Sequence, residues 1–193
     1  MSATTSSETL PNGVNLASIG SLIDAIKGSP AMADVKFKAR SEWKGGTRTE
    51  VTIDEVHSNN TNISGPDRRF TIQVDEPLYL GGTDLAPNPV EVMAAGLCGC
   101  ITAGIVTNSA MFGTELEKVN VEVTVDFDVN GVLGLNKEAA NGAIGLHYKV
   151  TLKAKDSANS DKLQRSKETI DRKSPVKNTL ELPLRITTEF VLE

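Results

Sequence analysis

The sequence predicts an α+β fold: mostly antiparallel sheets around one long buried central helix. Three observations carry this. Apolar and polar residues alternate with a period of two in several short runs, as half-buried strands do. Between Glu91 and Glu115, 23 consecutive residues carry no charge. The strand runs group on either side of that stretch instead of alternating one for one with helices, which separates an α+β arrangement from a parallel α/β sheet.

The elements follow in order. The first dozen residues are polar, rich in Ser and Thr, and expected to be loose. Leu16, Ile19, Leu22, Ile23 and Ile26 recur at helical spacing until Gly28-Ser29-Pro30 stops the helix. From Asp34 the period becomes two. Val35, Phe37 and Ala39 alternate with Lys36, Lys38 and Arg40, and a second run from Arg48 to Ile53 follows Lys44-Gly45-Gly46, giving a hairpin. A polar loop from His57 to Asp67 leads to a third strand, Phe70–Val74.

Asn88 and Pro89 then suit an N-cap and first helical residue, and Gly113 suits a C-terminal stop. The uncharged stretch between them has the length of a membrane span, but Thr102, Thr107, Asn108 and Ser109 interrupt it. A fully buried helix is the reading adopted. Gly96, Gly99 and Gly104 each cost roughly 1 kcal/mol relative to Ala inside a helix. With Ala94, Ala95, Cys98, Cys100 and Ala103 they leave it thin, so another backbone can approach closely, including that of a second subunit. Strands over Leu116–Val129 and Leu146–Leu152, a polar helix over Ser160–Lys173, a short helix capped by Ser174-Pro175-Val176 and a closing strand over Leu184–Leu192 complete the chain.

Composition narrows the function. Of 193 residues, 39% are hydrophobic and 23% charged, enough for a core. A net charge of −5 and only eight aromatic rings argue against nucleic acid, which needs a basic face and stacking rings. The same charge balance disfavours a polybasic membrane-surface protein. Two cysteines and two distant histidines, His57 and His147, provide neither a disulfide framework nor a metal motif, so no metal and no cofactor are expected. No secretory signal is readable at the N-terminus, and a cytoplasmic location with reduced thiols is expected. No nucleophile-elbow or phosphate-loop motif occurs. The cysteines are the reactive candidates, against the plainer reading of small buried hydrophobes.

Gly81-Gly82, Ala86-Pro87-Asn88-Pro89-Val90-Glu91, Ala94-Ala95 and Cys100-Ile101-Thr102 together resemble the OsmC/Ohr family of osmotically induced and organic-hydroperoxide-resistance proteins. Trp43-Lys44-Gly45-Gly46 and Ser174-Pro175-Val176 fall where that family has counterparts. The resemblance covers residues 34–193 and leaves residues 1–33 as an N-terminal extension with a short helix. It implies an OsmC-like fold in an intertwined homodimer with the active site at the subunit interface. It also implies thiol-based reduction of organic hydroperoxides: one Cys attacks the peroxide, a second in a Cys-Pro-Val segment resolves it, and Arg and Glu assist.

Carried onto this chain, the resemblance gives Cys100 the peroxidatic place and Arg48 the cationic one, with Arg40 in reserve. Glu91 stands nearest the carboxylate, one position from the family's place, which Val90 occupies. Ser174 replaces the resolving Cys. Cys98 is no substitute, because residues i and i+2 of a helix point roughly 200° apart. The expectation is therefore a thiol-dependent redox protein, a peroxidase using Cys100 and an external thiol. The alternative is a non-catalytic OsmC-fold protein binding a small hydrophobic or acyl ligand at the dimer interface.

Overall fold

The structure, a computed structural model, describes residues 10–192. Most of the dozen residues expected to be loose therefore lie outside the described residues. Asn12, the last of them, is firmly held. Its side-chain amide donates to the Thr114 carbonyl at 2.8 Å and accepts from the Leu116 amide at 2.9 Å, filling the hydrogen bonds of a strand start.

The chain divides into two compact units. The first is Asn15–Met93. Helix α1 (Leu16–Gly28) opens it, with Asn15 accepting from the Ser18 amide as N-cap. Strands β1 (Val35–Trp43) and β2 (Thr49–Ser58) form the expected antiparallel hairpin, bulged between Lys38 and Arg40. Gly45 and Gly46 turn it with φ of 95° and 60°. The loop expected from His57 is shorter than read. Asn59 and Asn60 take φ of 47° and 61°, a tight turn that folds β3 (Thr61–Asn62) back on the end of β2. Strand β4 (Phe70–Val74) also pairs with β2, completing a four-stranded antiparallel sheet.

The second unit runs from Ala94 onward and includes the stretch up to Val14. Helix α2 (Pro89–Met111) carries the chain into it. Gly113 takes φ 65° while the Thr114 amide donates to the Ser109 carbonyl at 2.8 Å, a Schellman ending. Strands β5 (Leu116–Phe127) and β6 (Ala143–Ala154) form a long antiparallel hairpin, interrupted at its end by the single turn α3 (Val129–Val132). Helices α4 (Ser160–Lys173) and α5 (Pro175–Glu181) follow. The core joins Leu97, Ile101 and Ile105 of α2 to Ile170 of α4, with Val121, Val123 and Val150 packed against them.

Two expectations are corrected. Helix α2, expected fully buried, is covered on one face only. Leu97, Ile101, Ile105 and Ser109, four apart, are fully buried, while Ala95, Gly96, Gly99 and Ala103 are exposed. By length and apolar composition α2 matches a membrane span, but the burial of that face against β5 and β6 is what a core helix requires. The second correction concerns Leu184–Leu192, expected as a strand. Residues 183–192 are irregular and pair with neither sheet. A strand needs an edge to satisfy its backbone, and no strand among the described residues gives it one.

Candidate active site

The approach to α2 is built around a buried carboxylate. Asp75, at the end of β4 and only 1% exposed, accepts from the Thr47 hydroxyl at 2.6 Å, from the Thr83 hydroxyl and amide, and from the Glu76 and Leu85 amides. The hydroxyls of Thr47 and Thr83 lead in holding its pKa far below the ordinary carboxylate range. These bonds fold the Gly81-Gly82 loop onto the backbone of Glu76. A Cβ on Gly82 would lie 1.7 Å from the Glu76 carbonyl oxygen, so only glycine fits.

Glu91 is committed at the start of α2. Its Oε2 accepts from the Asn88 amide at 2.8 Å, and its own amide donates to Asn88 Oδ1 at 2.8 Å. This reciprocal capping box fixes the first turn. Arg48 is exposed, and among the described residues its side chain reaches the Lys44 carbonyl alone, at 3.4 Å. Arg40 is bound between Asp54 and Glu55. Glu55, hydrogen-bonded by Lys38, His57 and Arg40, has its pKa lowered to about 2.

Further along α2 the two cysteines diverge as helical geometry requires. Cys98 Sγ lies 3.7 Å from the Val121 carbonyl of β5. Cys100 Sγ lies 3.1 Å from Ser174 Oγ. That contact rests on the docking of α4. Ile170 enters the core over Gly104, where a Cβ would meet its Cδ1 at 2.0 Å. Ser109 donates to Ser166 Oγ at 3.0 Å, and Tyr148 donates to Asp171 at 2.6 Å. Burial, then the Asp171 carboxylate, keeps the Tyr148 phenol protonated well beyond its ordinary range.

At the end of α4 the Ser174 amide donates to the Ile170 carbonyl at 2.7 Å, and the chain turns into α5 with Ser174 as N-cap. Ser174 is fully buried, and its Oγ accepts from the Lys177 amide at 3.2 Å. A hydroxyl has one proton and two lone pairs. With the Lys177 amide on a lone pair, the proton is free to point at Cys100 Sγ, and toward a thiolate the serine is the only donor of the pair. The site therefore provides a held sulfur with one preset hydrogen bond.

Cys100 opens onto a groove of about 320 Å³ between α2 and α4, floored by Ala103, Gly104 and Ile170 and reaching Asn108. Lys173 is the single charged residue lining it. Of the residues marked from sequence, then, the structure brings Ser174 to Cys100, while Glu91 and Arg48 make the contacts described above. Lys173, Asp75 and the Tyr148–Asp171 pair were missed. Asp75 before a Gly-Gly-Thr loop was the one readable signal, as a carboxylate that can gather loop donors.

Comparison with known proteins places the fold in a class. The fold matches an OsmC-like protein from Mycoplasma pneumoniae at 15% identity and TM-score 0.56, over 76% of this chain and 87% of that one. It matches an OsmC-like protein of unknown function from Vibrio cholerae at 11% identity and TM-score 0.53, over 76% and 94%. A third match is an organic hydroperoxide resistance protein OsmC from Legionella pneumophila, at 19% identity and TM-score 0.50, over 75% and 88%. The architecture is thus the OsmC-like α+β fold. The model of the family described as OsmC-like protein matches residues 82–189, more than half the chain, and the chain belongs to that family. No protein of curated function matches it.

Proposed function

We propose that the protein is a thiol-dependent peroxidase that reduces organic hydroperoxides at Cys100 and is restored by an external thiol. The observation that carries this reading is the Cys100–Ser174 pair: a sulfur half-open to a groove, with a buried hydroxyl 3.1 Å away. The Cys100 thiolate attacks the terminal peroxide oxygen. An S–O bond forms, the O–O bond breaks, and the alkoxide leaves as the alcohol after taking a proton. Ser174 holds the thiolate by donating to Sγ. An external thiol then condenses with the sulfenic acid, releasing water, and a second frees Cys100 as a symmetric disulfide leaves. The sum is one hydroperoxide and two thiols giving one alcohol, one water and one disulfide. Membership of the OsmC-like family supports the class of chemistry.

The test is consumption of cumene hydroperoxide by the reduced protein with excess thiol. Cys100→Ser abolishes it and Cys98→Ser largely spares it; the reverse pattern moves the role to Cys98. A second reading, an OsmC-fold protein that binds a small hydrophobic ligand without turnover, is favoured by the apolar floor of the groove. On that reading neither variant alters peroxide loss.

The same proposal includes a homodimer in a reducing cytoplasm. Two exposed features support the dimer: the Ala95, Gly96 and Gly99 stripe of α2, which lies outside the Cys100 groove, and the apolar C-terminal segment, where Ile186, Phe190 and Leu192 are each more than 80% exposed. A second copy covers both. A folded monomer in sedimentation at micromolar concentration overturns it.

A further inference from the structure

Resting on the peroxidase reading, we propose that Lys173 selects the external thiol, so that Cys100 is served by small thiols carrying a carboxylate in preference to neutral or cationic ones. With Ser174 in the resolving place and Cys98 turned toward Val121, no second sulfur of this chain reaches Cys100. The resolving thiolate arrives from solvent, and the groove between α2 and α4 is the opening to the sulfur within this unit. Lys173 stands on that path. It lines the groove with Cys100, and its Cα is one peptide, about 3.8 Å, from that of Ser174.

Its charge is available. The neighbouring lysines are spent, Lys167 on Asp171 and Lys177 on Glu181, whereas Lys173 makes no ion pair among the described residues. Among the described residues, no carboxylate lines the groove to offset it. Although the chain is net negative, an incoming thiol meets one positive charge in the groove that leads to the sulfur. A carboxylate two or three bonds from the attacking sulfur rests on that ammonium while its thiolate reaches Cys100. The step it serves is balanced: the thiolate displaces hydroxide from the Cys100 sulfenic acid, the hydroxide leaves as water with one proton, and a mixed disulfide forms.

The experiment reads the thiol-accepting step without peroxide. In Cys98→Ser protein, Cys100 is converted to its methyl disulfide with methyl methanethiosulfonate. Formation of the mixed disulfide between Cys100 and the added thiol, which follows attack on the Cys100 sulfur with methanethiolate leaving, is then timed by mass spectrometry with 3-mercaptopropionate, 2-mercaptoethanol and cysteamine. Each rate is divided by that thiol's rate toward a small free disulfide, which removes its intrinsic nucleophilicity. The expected order is mercaptopropionate, mercaptoethanol, cysteamine, with about fivefold between the first two, the size of a favourable exposed ion pair. Lys173→Gln collapses the order and Lys173→Arg retains it, and added salt narrows it.

Equal normalised rates in the parent, or an order that survives Lys173→Gln, overturn the inference. The peroxidase reading fails separately. If cumene hydroperoxide is not consumed while the thiol order holds, that reading falls and thiol selection stands. If peroxide is consumed with no thiol order, the reverse is true.

Discussion

Replacing Ser174 by Cys gives the sharpest test of the site's geometry. The Sγ to Oγ distance is 3.1 Å, and a disulfide requires about 2.05 Å between sulfurs, so the two groups need to close by only about 1 Å. The substitution weakens the N-cap of α5 by about 1 kcal/mol, because a thiol caps poorly. The gain on oxidation is larger. The residues are 74 apart in sequence, and closing a loop of that length removes about 4.5 kcal/mol of unfolded-chain entropy. For a chain of this size each kcal/mol moves the melting temperature by about 2–4 °C, so the oxidised variant should melt up to about 9–18 °C above its reduced form. After a peroxide pulse, mass spectrometry of non-reduced digests should find Cys100 linked to the new thiol, and less Cys100 sulfinic acid than in the parent. Absence of that link, while alkylating agents modify both thiols, would refute the placement of α5 against α2.

Gly104→Ala drives a methyl into Ile170 and should destabilise by about 1–3 kcal/mol. Combined with Ile170→Ala, itself costing about 2–5 kcal/mol, the loss should fall short of the sum, as a double-mutant cycle in urea would measure. Asp75→Asn turns an amide NH2 toward amide and hydroxyl donors and should lower the urea midpoint. Because the folded pKa of Asp75 is depressed, its contribution is present above the unfolded value near ~3.9 and lost as pH falls through the folded one, so the variant should lose less stability than the parent on acidification below about pH 4. Gly99 faces open space in the single chain, so Gly99→Leu should fold with unchanged circular dichroism yet sediment as a monomer if α2 meets its copy there.

Most elements were legible because their signals are local. The 3.6-residue spacing of Leu16 to Ile26, the alternation of Val119 to Phe127, and the Asn88-Pro89 and Gly113 punctuation each depend on neighbours in sequence. The closing strand was not legible in the same way. Leu184–Leu192 has strand composition, but a strand exists only where an edge accepts it, and that is a property of the partner. The site divides along the same line. Cys100 and Ser174 were named by resemblance and are joined by α4, whereas Glu91, also named by resemblance, satisfies a capping box with Asn88 three positions before it. Lys173 was invisible because its place in the groove depends on which face of α4 meets α2, and that is decided by Gly104 and Ile170 at a distance of 66 positions in the chain.

On the proposed function Cys100 is a nucleophile and not a packed core cysteine. The direct measurement is single turnover: reduced protein receives one equivalent of cumene hydroperoxide in the presence of dimedone, and the peptides holding Cys98 and Cys100 are examined by mass spectrometry. The expected result is a stoichiometric dimedone adduct on Cys100, cumyl alcohol in equal amount, and no adduct on Cys98. Unmodified Cys100 with the hydroperoxide intact would contradict the claim.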